Sequence, residues 1–591
     1  MKHPLNLIHM KTKRLIFSIC TIGITLHSFA IDTKVDQAPP HVIPASTFFD
    51  SHSAGEWTID NTSTYKDVPH YDWDGSAHLC GKIHNYSSQS GITTFNVRAK
   101  DCVTGKEQIT VINIQPDGSF HEDVKVNHPQ YVYLTGTIRR EVFLIPGDTI
   151  EIATTTKTNH SPSTKSAAYF GFRGEKDRDI TAVNVLTDTL ISHYNLKNLF
   201  LRHSIPASEA TEEAVIRENE ALCDMLNSTI SDLPHFLGNL PISDFAKDIL
   251  AAKAISTILE VAESNEMEYR FKHQVGLTMT DSVETPVLDK PYHEIDIAAI
   301  IGPRKQHNKL IYDNPIMMCV NRMLPNRWEY GCLFDAAQSA ASGGINPPLV
   351  ANYDLKGKSS HDLLCEITSN NLTKAGIGNC FAFQLSCVKN LIENLNTHSS
   401  LNRETLNRKS EYVSNLMCHV TYPTLAKMLQ KAYTNYVEAV VMSESPSEKQ
   451  SNYTMLDASA DADVFEELIK PYKGNLLYLD FWGMYCGPCR AGMIRQKPII
   501  ESLSDSPFKA LYISEDTGGI KEAERWMADE NIKGEHIFVS TDNWNRLSAL
   551  FNFAGIPFGV LVGKNGEILE TNFHLEHEEA TVNKYLNQQQ D

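Results

Sequence analysis

The sequence predicts a multidomain protein: a C-terminal α/β domain, preceded by a small all-β sandwich and a mainly α-helical middle region. Three observations predict it. The chain has 591 residues, well above the size at which a single hydrophobic core stops growing. Its composition, 42% apolar and 21% charged, is that of a folded globular protein rather than a disordered one. The apolar period also changes along the chain, from short β-like runs, to helical stripes, to strands alternating with helices. The expected boundaries are a signal peptide over 1–30, an irregular linker over 31–75, the sandwich over 76–156 and the helical region over 157–442. A second linker over 443–455 then leads to the α/β domain over 456–591.

The N-terminus reads as a secretory signal. Lys11, Lys13 and Arg14 form a positive segment, and Leu15 to Leu26 is an apolar run of about twelve residues. Ser28-Phe29-Ala30 then offers small residues at the two positions a signal peptidase reads. Met10 is an alternative start, because the basic cluster follows it directly. Cys20 does not fit lipoprotein processing, since Ile19 is too large and Cys20 lies inside the apolar run. No later stretch is long and apolar enough for a membrane helix. The expected location is outside the cytoplasm, in the periplasm, with association with the cell envelope left open. The net charge of −19 repels phosphate backbones, which argues against nucleic acid as a partner. Twelve cysteines are present. Loss of Cys20 with the signal leaves an odd number, so at least one is unpaired unless chains are bridged.

The sandwich is expected from strands at Thr93–Val97, Gln108–Ile114, Phe120–Val126, Tyr131–Ile138 and Val142–Ile145. Pro116-Asp117-Gly118-Ser119 and Pro146-Gly147-Asp148 supply turns. This spacing suggests an antiparallel arrangement. In the helical region, Leu425, Met428, Leu429, Ala432, Tyr433, Tyr436, Val437 and Val440 make one stripe after Pro423, a residue suited to a first turn. Phe245, Ile249, Ala252, Ile255 and Leu259 make another. The 278–348 stretch reads as irregular. In the last domain, strands are expected at Leu476–Phe481, Ala510–Ser514, His536–Val539, Phe558–Gly563 and Glu567–Phe573. Helices are expected from Cys486 and over Lys521–Asn531, Asn543–Phe551 and Glu578–Asn587. Asn565-Gly566 is a hairpin signal.

The chemistry-bearing motif is Cys486-Gly487-Pro488-Cys489, placed where an apolar strand gives way to a helix. Unpaired N–H groups at a helix N-terminus favour negative charge, so the thiol of Cys486 ionises readily. Three residues on, Cys489 returns to the same side within disulfide reach. Cys486 is the expected nucleophile toward a disulfide, and Cys489 then resolves the mixed disulfide. Asp480, near the end of the strand, is expected to be partly buried, with its proton affinity raised, and to accept the Cys489 proton. Trp482 shields the site. Ile556-Pro557 is a candidate cis peptide that would present a backbone edge to an extended substrate. The substrate-binding set is therefore Trp482, Tyr485, Ile556 and Pro557. Cys486 and Cys489 form the redox disulfide. No cofactor and no metal are expected.

The run LLYLDFWGMYCGPCR, with AGIPFGVLVGKNGEI about seventy residues later, resembles the thioredoxin superfamily, especially its exported TlpA/ResA-like branch. The resemblance covers about Leu456 to Asp591. It implies a thioredoxin-like fold, Cys486 as nucleophile, Cys489 as resolving thiol, Asp480 as buried carboxylate and Pro557 as cis-proline. GKI…PDGSF…FLIPGDTIEI is similar to the β-sandwich that precedes such domains in large exported proteins of Gram-negative bacteria. The sequence departs from the branch at Gly492 and Ile494, where Glu and Pro are usual, leaving Pro498 to bend the helix. Tyr485 stands where Trp is more common.

The expected activity is thiol–disulfide exchange, with reduction of protein disulfides favoured by the Gly-Pro centre. The expected partners are protein disulfide substrates and a membrane or periplasmic thiol electron donor; oligomeric state stays open. A disulfide oxidase or isomerase is one alternative. An envelope binding protein with an accessory redox domain is another. Half of a zinc site is disfavoured, because the chain holds no second Cys-x-x-Cys. Cys80 and Cys102 are read as separate thiols in preference to a disulfide. Cys380 and Cys387 are read as core residues, and His574, His577 and Glu578 as solvated groups at a helix start.

Overall fold

The computed structural model describes residues 42–49, 57–59, 65–101, 107–136, 138–155, 170–175, 178–274, 307–320, 379–396, 402–444, 460–516 and 519–588. The expected signal peptide, Cys102, most of the 278–348 stretch and most of the second linker lie outside them. The described residues fall into two compact units. One is built within Gln450–Asp591, and the other from Leu26–His160 and Thr164–Lys449.

In the larger unit the strands are β1 (Ser76–Ile83), β2 (Thr94–Lys100), β3 (Glu107–Asn113), β4 (Ser119–Lys125), β5 (Gln130–Thr135), β6 (Arg140–Leu144), β7 (Thr149–Thr154) and β8 (Phe170–Arg173). They form two four-stranded sheets, ordered β4-β1-β7-β8 and β3-β2-β5-β6. The rings of Phe95 on β2 and Phe120 on β4 meet edge-on at 5.1 Å, joining the sheets. The sandwich is not purely antiparallel as expected, because β1 runs parallel to β7. Turn signals report only adjacent hairpins, and these two strands are separated in sequence by β2 to β6. Their close approach needs Gly81, where a Cβ would lie 2.2 Å from the Ile152 carbonyl oxygen. Strand β8 extends the sheet beyond the expected end at residue 156.

The helices of this unit are α1 (Asp179–His193), α2 (Leu199–His203), α3 (Glu212–Gly238), α4 (Asp244–Gln274), α5 (Asn308–Tyr312), α6 (Phe381–Asn396), α7 (Arg403–Met417) and α8 (Pro423–Glu444). Thr211 and Asn402 cap α3 and α7 by accepting side-chain hydrogen bonds from backbone N–H groups, at 3.2 and 2.9 Å. Leu425, Met428, Leu429, Tyr436 and Val440 of α8 are buried with Leu385, Val388 and Leu391 of α6. The sandwich and α1, α3 and α4 share one hydrophobic core, which includes Phe143, Ile150, Leu186, Leu226 and Ile255. The stretch read as a linker over 31–75 also enters it, through Phe48 and Trp57. Trp57 Nε1 and the Tyr65 hydroxyl both donate to the Asp248 carboxylate, at 3.0 and 2.8 Å. Within the stretch expected to be irregular, α5 and a 3-10 turn at Pro315–Val320 are formed, with Leu310, Ile311 and Tyr312 of the first and the whole of the second buried.

The smaller unit contains α9 (Ala460–Ile469), β9 (Leu476–Trp482), α10 (Gly487–Ser502), β10 (Phe508–Glu515), α11 (Ile520–Asp529), β11 (Glu535–Val539), α12 (Thr541–Leu550), β12 (Phe558–Val562), β13 (Ile568–Thr571) and α13 (Glu579–Gln588). The sheet order is β11-β10-β9-β12-β13. Strands β9, β10 and β11 are parallel, β12 runs against β9, and β13 closes the hairpin at Asn565-Gly566. Central β9 is buried at every position, because helices cover both sheet faces. Phe481 points into an aromatic cluster with Trp544, Phe551, Phe553 and Phe558. Tyr478, Asp480 and Trp482 alternate onto the opposite face, toward α10 and α11. Helix α10 runs on through Pro498.

Candidate active site

The apolar run of β9 delivers the chain to a tight connection, in which the Cys486 N–H donates to the Gly483 carbonyl at 2.9 Å. Cys486 then takes the N-cap position of α10, with Gly487 and Pro488 in the first turn. Pro488 loses nothing there, since first-turn N–H groups have no partner within the helix. Cys486 and Cys489 are joined by a disulfide with their Cα atoms 5.4 Å apart. The Cys489 N–H donates to Cys486 Sγ at 3.2 Å. A sulfur at that position receives the helix dipole and a directed N–H, both of which favour a thiolate once the bond is reduced. Cys486 is 5% exposed and Cys489 1%, so the first sulfur is the more approachable.

Asp480 is buried, on the sheet face covered by the helix that carries Cys489. Burial pushes its carboxyl up to about 7, and nearby Glu576 pushes the same way. Hydrogen bonds from Gln496 and Tyr478 oppose both. At neutral pH such a group exchanges a proton readily, as acid–base chemistry requires.

Of the expected substrate-binding residues, Tyr485 is 80% exposed at the rim. The Ile556–Pro557 peptide is cis. A Cβ on Gly483 would lie 2.9 Å from the Tyr485 ring and 3.2 Å from Ile556 Cδ1, so Tyr485 and Ile556 converge on the loop before Cys486. Pro557, next to Ile556 in sequence, is exposed. Trp482 differs from the expectation. It is 1% exposed and packs 5.8 Å from Trp526, so it forms part of the floor and offers no surface to a substrate. Arg490 lies over the Trp526 ring at 5.8 Å.

Three residues of the site were not anticipated from sequence. The Gln496 side-chain amide donates toward the Tyr478 hydroxyl at 3.2 Å and Asp480 Oδ2 at 3.5 Å. It also donates to Glu576 Oε2 at 3.0 Å. Glu576 comes from the segment between β13 and α13. Its other oxygen accepts from Arg495 Nη2 at 3.2 Å. At position 492, where the resemblance implied Glu, the helix has Gly, and the Glu576 carboxylate lies 3.5 Å from where a Cβ would be. The spacing of Tyr478, Asp480 and Trp482 on one strand face was the only sequence signal pointing toward this pocket.

Elsewhere, Cys80 is an unbridged, half-buried thiol whose Sγ approaches the Ile150 carbonyl at 3.6 Å. Cys380 and Cys387 are buried. The His574 N–H donates to Glu578 Oε1 at 3.3 Å. Among the described residues, no cluster of three His, Cys, Asp or Glu side chains is arranged to hold a metal ion.

No family model matches the chain. Among curated proteins, the chain is 28% identical over 86 residues to Thioredoxin-1 of Caenorhabditis elegans, covering 15% of this chain and 69% of that protein. Among solved structures, it is similar to the thioredoxin domain of a thiol-disulfide oxidoreductase from Bacteroides vulgatus. The identity is 19% and the TM-score 0.19, over 20% of this chain and 84% of that one. A thiol:disulfide interchange protein from Bacteroides sp. gives 19% identity and a TM-score of 0.19, over 20% of this chain and 78% of that one. Over about a fifth of its length, the chain is similar to thioredoxin-like thiol–disulfide oxidoreductases.

Proposed function

We propose that this protein is an exported thiol–disulfide oxidoreductase that reduces protein disulfides in the periplasm through Cys486 and Cys489. The observation that carries the reading is the Cys486–Cys489 disulfide at the N-terminus of α10, with a proton-exchanging Asp480 beneath that helix. The Cys486 thiolate attacks one sulfur of the substrate disulfide. An S–S bond forms between enzyme and substrate, and the first substrate sulfur leaves as a thiolate that takes up a proton from water. Asp480 accepts the Cys489 proton. The Cys489 thiolate then attacks Cys486 Sγ, which forms the intramolecular disulfide and releases the second substrate thiolate. Two electrons pass to the substrate, and a thiol donor at the membrane or in the periplasm restores the dithiol.

Tyr485, with Ile556 against the same loop before Cys486 and the exposed Pro557 next to Ile556 in sequence, supplies an apolar surface suited to the extended backbone of a protein substrate. Export rests on the basic and apolar N-terminal segments read from the sequence. The test is reduction of insulin by the dithiol-treated protein, followed as turbidity, against a Cys486→Ser variant. Wild-type protein is expected to accelerate reduction, and the variant to fall to the rate of buffer with donor alone. Equal rates for the two proteins overturn the reading.

A further inference from the structure

We propose that Glu576 is a positioning residue for the dithiol reaction, held by Arg495 and tied to Asp480 through the Gln496 amide, so that its negative charge makes Asp480 retain a proton it would otherwise shed. The inference rests on the proposed redox function and deepens it. Gly492 and Gln496 are one turn apart and share a helix face. Gly492 is buried and has no side chain, and the Glu576 carboxylate fills that face, with Oε1 3.5 Å from the position a Cβ would take. Arg495 Nη2 holds Oε1 at 3.2 Å, and Gln496 Nε2 holds Oε2 at 3.0 Å. The Glu576 side chain retains only 12% of its exposure. A carboxylate so enclosed, with a cation on one oxygen, remains ionised, and its proton affinity is lowered by the Gln496 and Arg495 contacts despite burial.

The hydrogen count points the same way. The Gln496 amide has two N–H hydrogens and faces three oxygens, of Glu576, Tyr478 and Asp480. Its own carbonyl oxygen is buried with no partner. Glu576 makes the shortest of the three contacts, and Asp480, at 3.5 Å, the longest. Asp480 is therefore solvated less well than a buried carboxylate needs in order to stay ionised, and the neighbouring charge is of its own sign. The groups facing Asp480 are Tyr478 on its own strand, Tyr512 opposite it on β10, Gln496 on α10, and Glu576. The Tyr512 hydroxyl is buried without a hydrogen-bond partner. Among these groups no cation touches Asp480, and Arg495 bonds only the far oxygen of Glu576. The arrangement raises the proton affinity of Asp480, so that its ionised form, present at neutral pH, is basic enough to take the Cys489 proton when that thiol must attack. Glu576 itself carries no proton in the step.

The test reads Asp480 directly. In the oxidised protein the two cysteines do not titrate, so the infrared carboxyl band that disappears in Asp480→Asn reports this one group. Glu576→Gln keeps the shape and the Gln496 contact but removes the charge, and is expected to lower the Asp480 midpoint by about half a pH unit or more. Arg495→Met removes the compensating cation from a half-exposed site and is expected to move the midpoint upward. The pH at which mixed-disulfide resolution by Cys489 becomes rapid should follow each shift. A purely structural role for Glu576 predicts a lower melting temperature with an unmoved midpoint, and that result overturns the proposal. If Glu576→Gln does not fold, an unmoved or lowered midpoint in Arg495→Met overturns it. Retention of reductase activity by Cys486→Ser overturns the redox reading instead, while the carboxyl titration still decides the role of Glu576.

Discussion

The two units each bury an ionisable group between a helix and a sheet, and they treat it in opposite ways. In the larger unit, Lys253 of α4 is buried against the sandwich. Its ammonium lies 2.9 Å from Glu141 Oε2 and 4.5 Å from the Tyr131 ring centroid. Burial alone would lower its proton affinity, but Glu141, Glu260 and Tyr131 together hold it above that of a free lysine. In the smaller unit, Asp480 is equally buried and faces a like charge, two phenols and an amide. Burial and Glu576 leave it near neutrality in proton affinity. The difference teaches that burial does not by itself mark a functional group. A counter-charge settles Lys253 in one state, whereas Asp480 has none and is left able to change state.

The most severe way to break this comparison is to remove the settled partner. Lys253→Met leaves Glu141 at the same interface without its cation, and Glu141 keeps only 18% of its side-chain exposure. The larger unit is expected to lose about 3 kcal/mol, the lower end for breaking a buried pair, because some water still reaches Glu141. Hydrogen exchange read by mass spectrometry should place the loss in β5, β6 and α4, with no change in disulfide reduction. A neutral or stabilising result would remove the contrast between the units.

Asp480→Asn should act with the opposite sign. The folded carboxyl holds its proton up to about pH 7, against the ordinary 3.8 in the unfolded chain. Between those values the unfolded state gives up the proton and the folded state keeps it. Stability therefore falls as pH rises from about 4 to about 7 and stays low above. Three pH units correspond to about 4 kcal/mol, an upper bound for the penalty the variant relieves. Asp480→Asn is expected to raise the melting temperature of the smaller unit at pH 8 and to change it little at pH 4. It should also slow attack by Cys489 about 100-fold at pH 7, read as accumulation of the mixed disulfide. A loss of stability at pH 8 would show that Asp480 is paired after all.

The same contrast explains what sequence reasoning reached. The run from β9 through α10, and the β12–β13 hairpin, were legible because their cues are local: a doubly buried strand, a dithiol at a helix start, a hairpin dipeptide. Asp480 was legible because a lone carboxylate inside an apolar strand conflicts with its surroundings, and such conflicts mark function. Glu576, Gln496 and Arg495 were not, because 80 residues separate the carboxylate from the amide that binds it. The parallel pairing of β1 with β7 and the Lys253–Glu141 contact, 112 residues apart, were hidden for the same reason. Phe48 and Trp57 were missed because their neighbours are polar and aperiodic, so no repeating stripe announced that they enter the core.

The smallest expected effect sharpens the comparison by removing charge from it. Asn184 of α1 is buried against strand β6, an edge of its sheet. Its Oδ1 accepts from the Phe143 N–H at 2.8 Å, and its Nδ2 donates to the Phe143 carbonyl at 2.7 Å. One neutral amide thus satisfies both backbone groups that an edge strand would leave open. Asn184→Ala strands these two groups, and the expected cost is about 1–2 kcal/mol, since the hydrogen bonds lost are neutral ones. Chemical denaturation of the larger unit measures it beside Lys253→Met. A smaller loss than Lys253→Met, independent of pH between 5 and 9, fits a neutral contact. If the two losses are equal, the cost at this interface comes from any unmade polar contact, and the distinction between settled and poised charges rests on Asp480 alone.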